Sequence, residues 1–156
     1  MKLNLLAVGT KMSDWVNEGY QEYAKRLPRE CSLHLHEITS AKRGKTGNAT
    51  KWMSEEGERL LANIADNHHV VALEVTGKSW STQQLAEQLN NWQADGRDIS
   101  LLVGGPDGLS KDCLQRANQY WSLSPLTLPH PLVRIVMAEQ LYRAWTILQH
   151  HPYHRA

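Results

Sequence analysis

The stretch Ile99-Ser100-Leu101-Leu102-Val103-Gly104-Gly105-Pro106-Asp107-Gly108 decides the fold. Five nearly all-apolar residues followed by a glycine-rich turn read as a strand buried on both faces, and such strands belong to parallel sheets. Upstream, Ser81-Thr82-Gln83-Gln84 forms a capping box, with Trp80 and Leu85 at the staple spacing. The helix it opens buries Leu85, Leu89 and Trp92 and stops at Asp95-Gly96. Downstream, Ser110 is placed to cap a short helix from Lys111 to about Asn118.

The alternation continues outward in both directions. Lys2 to Val8, bounded by Gly9, is an apolar strand. Ser13 is placed to cap a helix with Val16, Tyr20, Tyr23, Ala24 and Leu27 on one face, closed by Pro28. Leu33 and Leu35 alternate with His34 and His36, which predicts a half-buried strand. After a polar loop from Ser40 to Asn48, Asn48 caps a helix carrying Trp52, Met53, Glu56, Leu60 and Ile64. Val70 to Val75 is a third strand, and Trp121 to Leu128 a fifth extended segment. Pro131 suits the first position of a last helix that runs to about Gln149. Its apolar residues cover more than one stripe, which fits burial on two sides, one against the sheet and one against a second subunit.

Strand and helix in alternation predict an α/β domain spanning 1–156, a largely parallel sheet with helices on both faces. Ligands of such sheets bind beyond the carboxyl ends of the strands. The loops after Val75, Val103 and Leu123 are therefore where chemistry is expected.

A chain of 156 residues suits one core. With 41% hydrophobic and 21% charged residues, the composition excludes disorder. Lys and Arg number 17 against 16 Asp and Glu, so any nucleic-acid signal must be local rather than global. Cys31 and Cys113 cannot form a disulfide framework. No apolar run is long enough for a signal sequence or a bilayer span. A cytoplasmic location with reduced thiols is expected, and no membrane contact.

Ala72-Leu73-Glu74-Val75-Thr76-Gly77-Lys78-Ser79 fits a relaxed phosphate-loop pattern that would suit a nucleotide hydrolase using Lys78 and Ser79. Its intervening residues read as strand, so the match is taken as chance. The glycine pair Gly104-Gly105 lets backbone approach a ligand closely, or simply makes a tight turn. Leu123-Ser124-Pro125-Leu126-Thr127-Leu128-Pro129-His130-Pro131 is stiff and extended. It can present backbone donors and acceptors to a flat ligand, or act as a rigid connector. His130 reads as either a helix cap or a substrate contact. His150 and His154 stand at a metal-binding spacing, but Pro152 breaks the helix there and no carboxylate or cysteine lies nearby, so no metal is expected. Lys42, Arg43, Lys45 and Lys51 have no acidic residue among them and suit a phosphate backbone, or a solvated loop.

Taken together, several segments resemble one family. They are Val8-Gly9-Thr10-Lys11, Lys42-Arg43-Gly44-Lys45, Gly104 to Leu109, Leu123 to Arg134, Glu139-Gln140-Leu141-Tyr142-Arg143-Ala144-Trp145 and His151-Pro152-Tyr153-His154-Arg155. The chain resembles, over essentially its whole length, the RlmH family of the SPOUT superfamily, bacterial 23S rRNA pseudouridine N3-methyltransferases. The resemblance implies a carboxyl-terminal trefoil knot and a homodimer. It also implies S-adenosylmethionine as methyl donor and a helix 69 pseudouridine of the assembled 70S ribosome as substrate. Carried over by position, it assigns the cofactor to Leu73, Gly104, Gly105, Leu123, Ser124, Pro125, Leu126, Thr127 and Leu128. His154 becomes the candidate base, Tyr153 a stacking group and Arg143 a grip on phosphate or on the uracil anion. Lys42, Arg43, Lys45, His130, Arg134 and Arg155 become candidate RNA contacts. A non-catalytic RNA-binding module keeping the same fold is the competing reading.

Overall fold

Each strand is followed by a helix before the next strand begins, and crossovers of that kind force neighbouring strands to run parallel. The computed structural model describes residues 1–155; Ala156, included in the expected domain, lies outside the described residues. Five strands, β1 (Lys2–Val8), β2 (Ser32–Ile38), β3 (His69–Ser79), β4 (Ile99–Val103) and β5 (Gln119–Ser122), form one sheet in the order β2-β1-β4-β3-β5. Every pairing is parallel. The connecting helices are α1 (Asp14–Ala24), α2 (Ala49–Leu61), α3 (Thr82–Asp95) and α4 (Lys111–Arg116), and α5 (His130–Leu148) follows the last strand.

The period of two along each strand sorts side chains between two cores. Leu3, Leu5 and Ala7 of β1 with Ile99, Leu101 and Val103 of β4 face α1, α3 and α5, where they meet Tyr20, Leu89, Met137 and Leu141. Leu6, Val8 and Leu102 point the other way, towards Leu60 of α2 and Cys113 of α4. Ser100 is fully buried, and its hydroxyl hydrogen-bonds His68 Nδ1 at 2.9 Å. Gly19 lets α1 approach α5, since a Cβ there would stand 2.8 Å from Ile135 Cδ1. No helix among the described residues is long and apolar enough to cross a membrane.

Three of the expected caps form. Asn48 accepts from Lys51 N at 2.9 Å, Ser110 from Cys113 N at 3.3 Å, and Ser81 and Gln84 bond each other reciprocally. Ser13 sits at the start of α1 but its side chain makes no cap; its carbonyl accepts from Val16 N instead. Pro131 is the second residue of α5 rather than the first. β3 continues past Val75 to Ser79 across a register break between Leu73 and Lys78, so Ala72–Ser79 is strand and not a phosphate loop. The fifth strand stops at Ser122, because Ser124 turns the chain with its hydroxyl accepting from Leu126 N at 2.9 Å.

Leu101 is fully buried in the central strand. Leu101→Ala should lower unfolding free energy by about 2–5 kcal/mol, read from urea denaturation. A loss below about 1 kcal/mol would mean that the core facing α1, α3 and α5 collapses readily into the vacated space.

Candidate functional site: a cavity at the carboxyl edge of the sheet

β1 and β4 lie side by side, yet the chain leaves them in opposite directions, β1 towards β2 and β4 towards β5. A crevice must open beyond the ends of two such strands. A cavity of about 620 Å³ occupies that position. Its floor is Val8 and Gly9 after β1 and Val103 to Gly105 after β4. Leu73 to Val75 form one wall, the segment from Trp121 to Leu128 another, and His130 and Val133 close it at the start of α5. The volume is within the range of small-molecule sites. Of the nine residues expected to hold a cofactor, all but Pro125 line this one cavity.

The glycine turn explains why backbone dominates the floor. A Cβ on Gly104 would stand 2.6 Å from the carbonyl carbon of Gly108, and one on Gly105 would stand 2.7 Å from Glu56 Oε1. Gly108 has φ +88°, in the left-handed region, and its N–H donates to Gly105 O at 3.0 Å. The turn is therefore a cradle that any side chain would fill.

Glu56 anchors the rim. It is 1% exposed and accepts from Ala41 N at 3.0 Å and from Arg43 Nη1 at 2.8 Å. Arg43 also donates to Asp107 at 2.9 Å and lies over the Trp52 ring. The expected flexible basic loop is thus folded down as a wall between α2 and the glycine turn. Lys42 and Lys45 remain exposed and point to no partner among the described residues. Arg43 does not match the expectation of a free phosphate contact, because two carboxylates already hold its guanidinium.

Arg134 requires a clearer correction. It is fully buried, donating to Glu37 Oε2 at 2.7 Å and to Gly9 O at 2.8 Å. With no exposed surface it cannot grip RNA in this fold; it ties α5 to the ends of β1 and β2. His130 stands in the cavity wall with Nε2 buried and unpartnered. Burial, and then the nearby Arg134 charge, lower its pKa. Glu74 also lines the cavity, half-buried, and burial raises its pKa. The sequence reading missed Glu74, Gly9 and Met12 as lining residues. Position supplied a signal for Gly9 and Met12, since they follow the strand that neighbours β4.

The expected catalytic residues gather elsewhere. Tyr153 packs against Tyr142 with ring centroids 4.7 Å apart and planes tilted by 54°, and its hydroxyl donates to Glu139 at 2.8 Å. Burial first, then that bond, push the Tyr153 pKa up to about 12. Arg143 donates to Glu139 at 3.1 Å and to His154 O at 3.0 Å. His154 Nδ1 is buried without a partner, and Arg155 is exposed. This cluster closes the far end of α5. Arg143 lies more than three turns beyond His130, about 20 Å at 1.5 Å per residue. One chain therefore does not bring its tail to its own cavity along that helix.

A glycine cradle and an apolar slot at the switch point of a parallel α/β sheet define a ligand-binding α/β protein. The family model described as "Predicted SPOUT methyltransferase" matches residues 1–154, and the chain belongs to that family. A protein named ribosomal RNA large subunit methyltransferase H from Methylococcus capsulatus is 59% identical over 155 residues, covering 99% of this chain and 100% of that protein. Its namesake from Hahella chejuensis is 60% identical, covering 99% of each chain. Among solved structures, a Legionella pneumophila protein in complex with the bound cofactor SAM matches with a TM-score of 0.51 at 14% identity. That match covers 92% of this chain, and the chain spans 66% of the longer protein.

Two measurements test the site. Gly104→Ala should cost about 1–3 kcal/mol of stability through backbone displacement, whereas Gly44→Ala, with nothing within 4 Å, should stay within about 0.5 kcal/mol. The second concerns pH. His130 has a pKa lowered from 6.5, so the unfolded chain binds this proton first as pH falls. Stability should drop from near that value down to the folded one, and His36, lowered by burial and by His34, acts in the same direction. The urea midpoint of His130→Gln should fall less between about pH 7.5 and pH 5.5 than that of the native chain. Equal falls would assign the acid loss to other groups.

Proposed function

We propose that the cavity binds S-adenosylmethionine and that this chain methylates N3 of a pseudouridine in helix 69 of 23S rRNA on the assembled ribosome. It would act in the cytoplasm as a homodimer of single-domain, knotted subunits. The observation that carries this reading is the convergence of Leu73, the glycine pair and the 123–128 segment on one cavity. Its backbone-lined floor suits a ligand that must be approached closely, and the relatives at about 60% identity carry a ribosomal methyltransferase name.

Bound there, S-adenosylmethionine supplies a methyl group already activated by its sulfonium. The protein then has to align the acceptor and remove the N3 proton. Gly104, Gly105 and the 123–128 backbone would hold the adenosine, while Leu73 and Leu126 shield it from water. His154 is the candidate base, an imidazole whose Nδ1 makes no hydrogen bond among the described residues. Tyr153 would stack on the target base, and Lys42, Lys45 and Arg155 would meet phosphate. Because the tail stands at the opposite end of α5 from the cavity, this chemistry calls for the tail of a second copy. Arg143, fully engaged with Glu139 and His154, would hold that tail in shape.

Labelled S-adenosylmethionine and ribosomes from cells lacking this protein should give one methylated pseudouridine in helix 69, located by mass analysis of the rRNA. Robust turnover on a short free hairpin would contradict the requirement for the assembled ribosome. His154→Ala should lower turnover by about 10²–10⁴-fold if it is the base. Mixed dimers of His154→Ala and Gly104→Val chains should regain activity that neither variant shows alone. No recovery in verified mixed dimers would refute a site shared between copies.

A further inference from the structure

Two charged side chains line the cavity, Arg43 and Glu74. They differ in how their charge is met. Arg43 is held by Glu56 and Asp107, two carboxylates against one guanidinium. Glu74 makes no hydrogen bond or ion pair among the described residues, and Lys78 on the same strand forms no ion pair with it. It is half-buried, at the point where β3 leaves its pairing with β5 after Leu73. The break lets Glu74 form part of the wall between this cavity and a second one lined by Thr76, Lys78, Trp80 and Tyr120.

A partly desolvated carboxylate without a cation is costly, and the cost is relieved when a positive charge arrives. The remaining polar lining offers no such charge. Ser40, Ser122, Ser124 and Thr127 are neutral hydroxyls, burial and the nearby Arg134 charge disfavour a proton on the His130 imidazole, and the Arg43 charge is already compensated. The cavity is therefore electrostatically matched to a cationic ligand. The methyl donor is one, with a sulfonium and an ammonium against one carboxylate. After transfer, the carbon–sulfur electron pair stays on sulfur, the methyl forms its bond to N3, and the N3 proton goes to the base. The donor is thereby left as a neutral thioether overall.

Resting on the reading of the cavity as the methyl-donor site, we infer that Glu74 is a specificity residue that recognises the sulfonium charge and so favours S-adenosylmethionine over S-adenosylhomocysteine. Neighbouring backbone contacts treat the two ligands alike; Glu74 distinguishes them, and its attraction weakens when the product loses its charge. Burial, which raises the Glu74 pKa, is consistent with a carboxylate that lacks a protein cation.

Isothermal titration calorimetry of the full-length protein with each ligand tests this. Glu74→Gln, close in shape, should weaken S-adenosylmethionine about tenfold and S-adenosylhomocysteine less than about twofold. Glu74→Asp should keep most of the native preference. Retained S-adenosylhomocysteine binding shows that the variant is folded. Equal losses for both ligands would place Glu74 on the adenosine half they share and overturn the inference, as would unchanged S-adenosylmethionine affinity in Glu74→Gln. If the native chain binds neither ligand, the reading of the cavity falls and the inference falls with it.

Discussion

The backbone after β4 passes so close to itself that no side chain fits between Gly104 and Gly108. Much of the rim follows from that constraint. Because Gly105 has no Cβ, the Glu56 carboxylate can sit against the turn and still accept from Ala41 and Arg43. Because Glu56 is satisfied, the 40–43 segment folds onto α2 instead of waving in solvent. A bare carboxylate at 1% exposure would be expensive; with its backbone and guanidinium partners it becomes the fixed post of the rim. The cavity is thus shaped by an absence of atoms at the turn and by one buried charge beside it.

A second buried charge frames the opposite side. Arg134 carries its guanidinium into the interior, where Glu37 and the Gly9 carbonyl take two of its nitrogens. Gly9 has φ +128° and ends β1, so this bond fixes where the strand turns away from the sheet. The start of α5 is pinned to the same point, and with it His130 and Val133. Arg43 and Arg134, two of the three arginines that the motif reading aimed at RNA, therefore serve first as internal ties, and among the described residues the exposed lysines Lys42 and Lys45 are left as the unpaired cations of that loop.

Much of the architecture was legible because local chemistry and global fold agree. The apolar run at 99–103, the Ser81–Gln84 box and the Asn48 and Ser110 caps each act within a few residues, so sequence alone carries them. Glu56 was legible in part: helical spacing placed it with Leu60 on the inward face, and the structure supplies the partners that make the position tolerable. What failed was long-range. The apolar pattern ends the third strand at Val75, but β5 pairs with Lys78 and Ser79 and extends it, a contact no local pattern announces. The partners of Arg134 lie 97 and 125 residues away. Charge is the worst-read property for this reason: a run of Lys and Arg states the sign but not whether a distant carboxylate has claimed it.

Helix α5 carries the remaining argument. Its first turn belongs to the cavity, and its last turns, through Glu139 and Arg143, organise the tail. A rigid rod built into the core through Met137, Ala138 and Leu141 cannot fold its ends together. Arg143 spends its donors on Glu139 and the His154 carbonyl, and the Tyr153 ring is packed on Tyr142. The tail is therefore a preassembled unit rather than a loose flap that could swing back. If both ends serve one reaction, the distance between them is met by another copy lying alongside, with its tail towards this cavity and its cavity towards this tail. Exposed Leu132 near the first turn and Trp15 on α1 provide apolar surface on which such a copy could rest. A two-fold arrangement satisfies both sites with the same contact, and the length of α5 then sets the spacing between them.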